Sequence, residues 1–373
     1  MFSARAAGKE HSLTERLGYT GAVMRQTLLK LHLVLALLAG VIITSLGVTG
    51  SIMAFEPEID HLTHRALMDV ANVPSGAAAH SLADVITAVQ RAYPGSPVAG
   101  VTLGATPTRA YAVSTRQGLV YVDPYTLDIK GLRPGGADWL STIHQIHLRL
   151  NTAWGKPIVA WSGVIMLFLV LSGLYLWWPV KRASVTTGKT PFRTWYDWHN
   201  AVGIFSFVFL LILSMTGVFI GFEGSAVPLA YRLTGSAPAP TISSKIKAQP
   251  GAPQITPDRA LEIARQALPG AAPFFVPVVS PTDAYNVRAR FPEDLTPGGR
   301  SRVLVDSYSG AVLSADSSRT APGGRRVETM NRAIHTGDVF GMPSKIVMSI
   351  ASIMAPVQLL TGVMLWARRK KSR

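Results

Sequence analysis

Nine histidines and no cysteine set the chemistry open to this 373-residue chain. Without thiols it has no disulfide, no thiolate-bound iron–sulfur cluster and no covalently attached c-type haem. Redox or metal chemistry therefore falls to imidazoles. Two of them open matching apolar runs, His32 to Glu56 and His199 to Glu223. One offset, 167, carries His32 onto His199, Thr49-Gly50 onto Thr216-Gly217, Phe55 onto Phe222 and Glu56 onto Glu223. Such agreement reads as an internal duplication. Three more histidines stand before the other apolar runs: His144 and His147 in WLSTIHQIHLRL, and His335 in NRAIHTGDVFG.

A single histidine at a membrane boundary reads as a headgroup or backbone contact. The repeat supplies partners. A two-fold axis relating the halves sets His32 opposite His199, and His335 opposite either His147 or His144, which lies about one helical turn earlier on the same face. Paired neutral imidazoles at one depth of an apolar bundle are what axial ligation of haem b from both sides requires. With both positions filled, such a centre moves electrons rather than binding oxygen. Zinc or iron without porphyrin wants three or four ligands, and no Asp, Glu or Cys accompanies His32 or His199 within the runs. Two haem b groups fit better. Gly40, Gly47, Gly50, Gly203 and Gly217 leave room for a flat macrocycle or equally for a neighbouring helix. Arg25, Lys30 and Arg193 near the first pair, and Arg149 and Arg332 near the second, suit haem propionates or plain interfacial anchoring.

The elements that must position these residues are legible in the hydropathy. Leu31–Phe55, Pro157–Val180, Trp198–Phe222 and Ile346–Ala367 contain no Asp, Glu, Lys or Arg, and each exceeds the roughly 20 residues that cross a bilayer. Charged residues make up only 15% of the chain, against about 25% in soluble proteins. The expected fold is an integral membrane bundle of four transmembrane helices, at 28–55, 156–180, 198–222 and 345–367. The first run is too long for the h-region of a cleaved signal peptide. Net charge is +15, concentrated as five Lys/Arg in residues 1–30, four in 181–193 and five in 368–373. The positive-inside rule then places segment 1–27, loop 181–197 and tail 368–373 in the cytoplasm. It also accounts for the basicity without nucleic acid.

The two long segments, 56–155 and 223–344, carry the same order of features. Leu82–Tyr93 has helical periodicity. Thr256-Pro257 opens a helix over Asp258–Leu268, with threonine as N-cap and proline at the first turn. Strand-like Arg109–Ser114 and Gly118–Val122 lead to the turn VDPYT, and Tyr285–Phe291 and Arg302–Val305 lead to VDSYS. The closing helices correspond as well, Ser172-Gly173-x-x-Leu176-Trp177 with Thr361-Gly362-x-x-Leu365-Trp366. The fold class is therefore a tandem parallel repeat: helix, extracytoplasmic α+β domain, helix, twice, about an axis along the membrane normal.

These residues resemble the PepSY-associated transmembrane family: Leu31-His32, Ile146-His147-Leu148-Arg149-Leu150, His199-x-x-x-Gly203 and Ile334-His335-Thr336-Gly337, the Thr-Gly and Ser-Gly exits, and the helix–strands–VDxY units, which look like PepSY domains. Length and layout are most similar to the FoxB-type inner-membrane reductases. That resemblance implies two b-haems, held by His32 with His199 and by His147 (or His144) with His335. It also implies a bacterial inner-membrane location and reduction of a ferric siderophore outside the cytoplasm. No dinucleotide or P-loop motif is present, so the electron donor is another protein, a quinol or a diffusible reductant. Two other classes are a siderophore or iron permease, disfavoured by spans without charge, and a haem-free sensor or protease-modulating protein. His61, His64 and His80 have no assigned role, although His61 and His64 are placed to line a substrate entrance.

Overall fold

The computed structural model describes residues 3–371 apart from 72, 74, 75, 77, 137, 182 and 187–189, with side chains between Gly21 and Arg368. Most of the basic N-terminal lead-in and of the C-terminal tail thus falls outside the described side chains. In chain order the elements are α1 (Ser3–Met53), α2 (Glu56–Thr63), α3 (Arg65–Met68), α4 (Leu82–Ala92), β1 (Val98–Thr102), β2 (Tyr111–Thr115), β3 (Gly118–Val122), β4 (Ile129–Pro134), α5 (Trp139–Arg149), α6 (Gly155–Trp177), α7 (Pro191–Gly221), α8 (Glu223–Leu233), α9 (Pro257–Ala267), β5 (Ala272–Pro277), β6 (Tyr285–Arg290), β7 (Ser301–Val305), β8 (Val312–Asp316), α10 (Gly323–Thr336) and α11 (Met342–Lys371). They form two compact units.

The first unit comprises residues 1–54, 144–223 and 334–373. Among the described residues, four of its helices are long and apolar enough to cross a membrane: Gly21–Met53, Gly155–Trp177, Pro191–Gly221 and Met342–Arg368. Their burial pattern is the reverse of that in a water-soluble bundle. Leu38, Val41 and Phe205 are each more than 70% exposed, whereas the shielded positions are small or hydroxylic, among them Ala39, Ser172, Ser206, Thr216 and Thr361. Lipid tails are as apolar as leucine, so large side chains gain nothing by turning inward, and close packing selects small residues at the contacts. The helices follow each other round the bundle as α1–α6–α7–α11. Helix α7 starts where Thr190 caps it, accepting from Arg193 N, with Pro191 in its first turn. Helix α1 gives way to α2 at Phe55, just ahead of Pro57.

The second unit comprises residues 55–143 and 224–333. Among the described residues its eight strands form one antiparallel sheet in the order β4-β3-β2-β1-β5-β6-β7-β8. Each half is a four-stranded meander, and the halves join by pairing Val101 with Val276 and Thr102 with Phe275. Helices α4 and α9 contribute to one apolar core with the sheet, in which Val85, Val89, Val101, Val120, Val276, Val287 and Val305 are fully buried. At the join Gly100 leaves space for the Phe275 ring, which a Cβ would meet at 2.6 Å. Asp258 of α9 accepts from Leu82 N at 2.7 Å and Ala83 N at 3.2 Å, capping the neighbouring α4.

Several expected boundaries move. The segments 56–155 and 223–344 share one sheet and one core rather than folding as two separate domains. Their final helical portions, with His144, His147 and His335, group with the membrane helices instead. Those portions lie on α5 and α10, which are amphipathic, so a count of charge-free residues assigns them to the polar segments. The strand expected at 109–114 begins at Tyr111. Strands β1, β4, β5 and β8 and helix α8 had no sequence counterpart.

Candidate functional site

The four helices of the bundle hold four histidines in one repeated arrangement. His32 Nδ1 on α1 lies 2.8 Å from Ser172 Oγ on α6. His199 Nδ1 on α7 lies 2.9 Å from Thr361 Oγ1 on α11. His147 Nδ1, at the end of α5, lies 3.0 Å from Thr49 Oγ1 on α1, and His335 Nδ1, at the end of α10, lies 2.9 Å from Thr216 Oγ1 on α7. In every case the residue after the hydroxyl is a glycine against the imidazole. A Cβ would stand 2.9 Å from His147 Cε1 at Gly50, 3.3 Å from His335 Cε1 at Gly217, 3.4 Å from His199 Cε1 at Gly362 and 3.6 Å from His32 Cε1 at Gly173. The hydroxyl engages one ring nitrogen and the missing Cβ admits the ring.

Thr49 lies seventeen positions after His32 on α1, and Thr216 lies seventeen positions after His199 on α7. At 1.5 Å per residue the histidines therefore occupy two layers about 25 Å apart along those helices. In one layer His147 packs against His335, with ring centroids 6.3 Å apart and planes tilted by 53°. Two imidazoles binding one metal atom from opposite sides, at about 2 Å each, need a separation of that size. Burial pushes the His147 imidazole down to about 4, with the His144 charge adding to the effect. It is neutral at physiological pH, as a ligand must be. His144 lies about one turn earlier on α5, and it is His147 that meets the His335 ring. Among the described residues no three His, Asp or Glu side chains converge as a metal cluster would. Among those residues the imidazole pair in ring contact is His147 with His335.

The sequence pattern of the PepSY-associated TM region matches residues 29–369. The chain belongs to that family. No curated protein matches it. In this PepSY-associated membrane protein the cationic residues near the histidines divide by role. Arg25 donates from Nη2 to Leu176 O at 3.0 Å, satisfying a carbonyl at the end of α6. Arg193 pairs at 3.1 Å with Asp197, which is completely buried. Lys30, Arg149 and Arg332 have exposed side chains.

His61 and His64 belong to ion-pair networks within the second unit. His61 Nε2 meets Asp69 at 2.9 Å, and the same carboxylate takes Arg65 and Arg109 at 3.1 Å each. His64 Nδ1 meets Asp60 at 3.0 Å, and Asp60 pairs with Arg133 at 2.7 Å. Arg133 also pairs with Asp138. These contacts fasten α2 and α3 to Arg109 and to β4. Sequence reasoning noticed the Thr-Gly and Ser-Gly pairs only as helix exits. Their signal as imidazole partners was the recurrence of a hydroxyl followed by glycine in each of four apolar runs. Gln358, which donates to His199 O at 3.0 Å, was missed entirely.

Proposed function

We propose that this multi-pass membrane protein is a di-haem b electron conduit that reduces a ferric siderophore, of the kind typified by FoxB. The observation that carries the reading is the fourfold recurrence of a histidine held by a hydroxyl and a glycine, with His147 and His335 separated as two axial ligands should be. His32 and His199 would hold one group, and His147 and His335 the other. Bound haem would supply one-electron transfer.

The residues do the rest. The imidazole pairs fix two electron-carrying positions in separate layers of the bundle. The apolar outer faces of α1, α6, α7 and α11 keep water and ions from the path. Small residues at the helix contacts permit close approach. The matched offsets support descent of the halves from one duplicated unit, and the basic termini support a cytoplasmic entry side in the bacterial inner membrane. The electron donor is a protein, a quinol or a diffusible reductant on that side. The electron ends on iron: a ferric chelate gains one electron and becomes a ferrous one. Hard oxygen ligands hold Fe(II) far less tightly, so the metal is released.

An absorption spectrum of the purified protein tests the reading. Bis-imidazole Soret and α bands are expected, equivalent to two haems per chain. His32→Ala or His199→Ala should remove about half of the signal, and His147→Ala or His335→Ala the other half. A colourless preparation from haem-replete cells rules the proposal out, and loss of both groups in every variant rules out two independent sites.

A further inference from the structure

The hydroxyls beside the four histidines have their own protons committed elsewhere. Thr49 Oγ1 is 2.7 Å from Ser45 O, Thr216 Oγ1 is 2.7 Å from Ile212 O, Thr361 Oγ1 is 2.9 Å from Val357 O and Ser172 Oγ is 3.2 Å from Leu169 O. A carbonyl only accepts, and a hydroxyl has one proton to give and two lone pairs. Back-bonding of Ser and Thr to the preceding helical turn is their usual state inside a helix. With that proton spent on the carbonyl, the oxygen meets the imidazole as an acceptor. The proton in the second hydrogen bond must then come from Nδ1.

We infer that Thr49, Ser172, Thr216 and Thr361 are positioning residues that lock His147, His32, His335 and His199 as Nδ1–H tautomers, in which the ring lone pair sits on Nε2. The inference deepens the proposed function and takes from it the group that Nε2 would bind. The hydrogen-bond wiring itself stands without that group. The distances also rank the locks. At Thr49 and Thr216 the carbonyl contact is shorter than the imidazole contact, 2.7 Å against 3.0 and 2.9 Å. At Ser172 the order reverses, 3.2 Å against 2.8 Å. Serine also lacks the methyl group that limits threonine to few rotamers. His32 is therefore the least constrained of the four. A hydroxyl acceptor is weaker than the carboxylate that often stands behind metal-bound histidines, so it orients the ring without turning it strongly anionic.

The test has two arms. Nitrogen-15 spectra of histidine-labelled, haem-free full-length protein should show four neutral Nδ1–H imidazoles, where a free histidine prefers Nε2–H. Thr49→Val should remove one of them, and Thr49→Ser should restore it. In the haem-loaded protein Thr49→Val and Thr216→Val should each raise one and the same midpoint potential, because an imidazole without its acceptor is a poorer donor to ferric iron. Ser172→Ala and Thr361→Val should raise the other. Nε2–H tautomers in the wild type, or no change in Thr49→Val, overturn the inference. A protein that binds no haem yet shows the Nδ1–H pattern overturns the proposed function and leaves the hydroxyl locks in place. Bound haem with unchanged potentials in all four variants does the reverse.

Discussion

At the residue scale the histidine sites differ in how tightly the glycine fits the ring, and the difference is measurable. A methyl group at Gly50 would stand 2.9 Å from His147 Cε1 and 3.3 Å from Ser352 Oγ, so the ring must move. At Gly173 it would stand 3.6 Å from His32 Cε1, an ordinary contact. Overpacking a close contact costs about 1–3 kcal/mol. Gly50→Ala is expected to displace His147 and lower haem retention at the His147–His335 pair several-fold, while Gly173→Ala leaves its pair nearly full. Haem absorbance per protein after purification reads both. The same residues mark how far the sequence spoke. Type, spacing and an internal offset singled out His32, His199 and His335, and left His147 and His144 as alternatives for the fourth position. The ring partners did not, because a hydrogen bond between α1 and the end of α5 depends on how the helices turn about their axes. Hydropathy is silent on rotation when every face of a helix is apolar.

At the element scale, the contact between α1 and α11 rests on close backbone approach. Ser51 Oγ lies within 2.5 Å of Ser349 Oγ, and Ser352 Oγ donates to Gly47 O at 2.9 Å. Two glycines of α1 face α11 with different neighbours. A Cβ at Gly40 would meet the tip of the Leu359 side chain, which can rotate away, whereas one at Gly47 would meet Ser352 O at 2.7 Å and the Pro356 ring at 2.9 Å. Backbone and a proline ring cannot step aside. Gly47→Ala should therefore destabilise the bundle by about 1–3 kcal/mol and Gly40→Ala by less than about 1 kcal/mol, read from thermal unfolding in detergent. Equal losses would mean that α11 shifts as a rigid body. Element type was largely readable beforehand where local chemistry decides it. Thr256 does cap α9, with Pro257 in its first turn, and the helix expected over Leu82–Tyr93 forms as α4. The VDxY turns form because Asp123 and Asp306 each accept from the backbone two residues on, at 2.9 Å. The pairing of β1 with β5 was not readable, since it joins strands some 175 residues apart in sequence and no local turn signals a long-range partner.

At the scale of the whole molecule, the proposed direction of electron flow depends on which side of the membrane each histidine pair faces. The charge pattern argues for one answer. Basic residues crowd the ends that border His32 and His199, with five before Leu31, four between Lys181 and Arg193, and five after Ala367. Such segments are held on the cytoplasmic side. Segment 223–345 is also basic, with 14 Lys/Arg against 10 Asp/Glu, but long folded segments cross largely regardless of charge, so it does not weigh against this orientation. Because the chain contains no cysteine, single introduced thiols report the arrangement without background. Ser184, exposed between α6 and α7, and Gly298, open to solvent between β6 and β7, are expected on opposite sides under the proposed orientation. In intact spheroplasts a membrane-impermeant maleimide should label Gly298→Cys and reach Ser184→Cys only after permeabilisation. The opposite pattern would put the His32–His199 pair outside. A donor in the cytoplasm would then meet the His147–His335 pair first, and the proposed route to an external ferric chelate would run backwards.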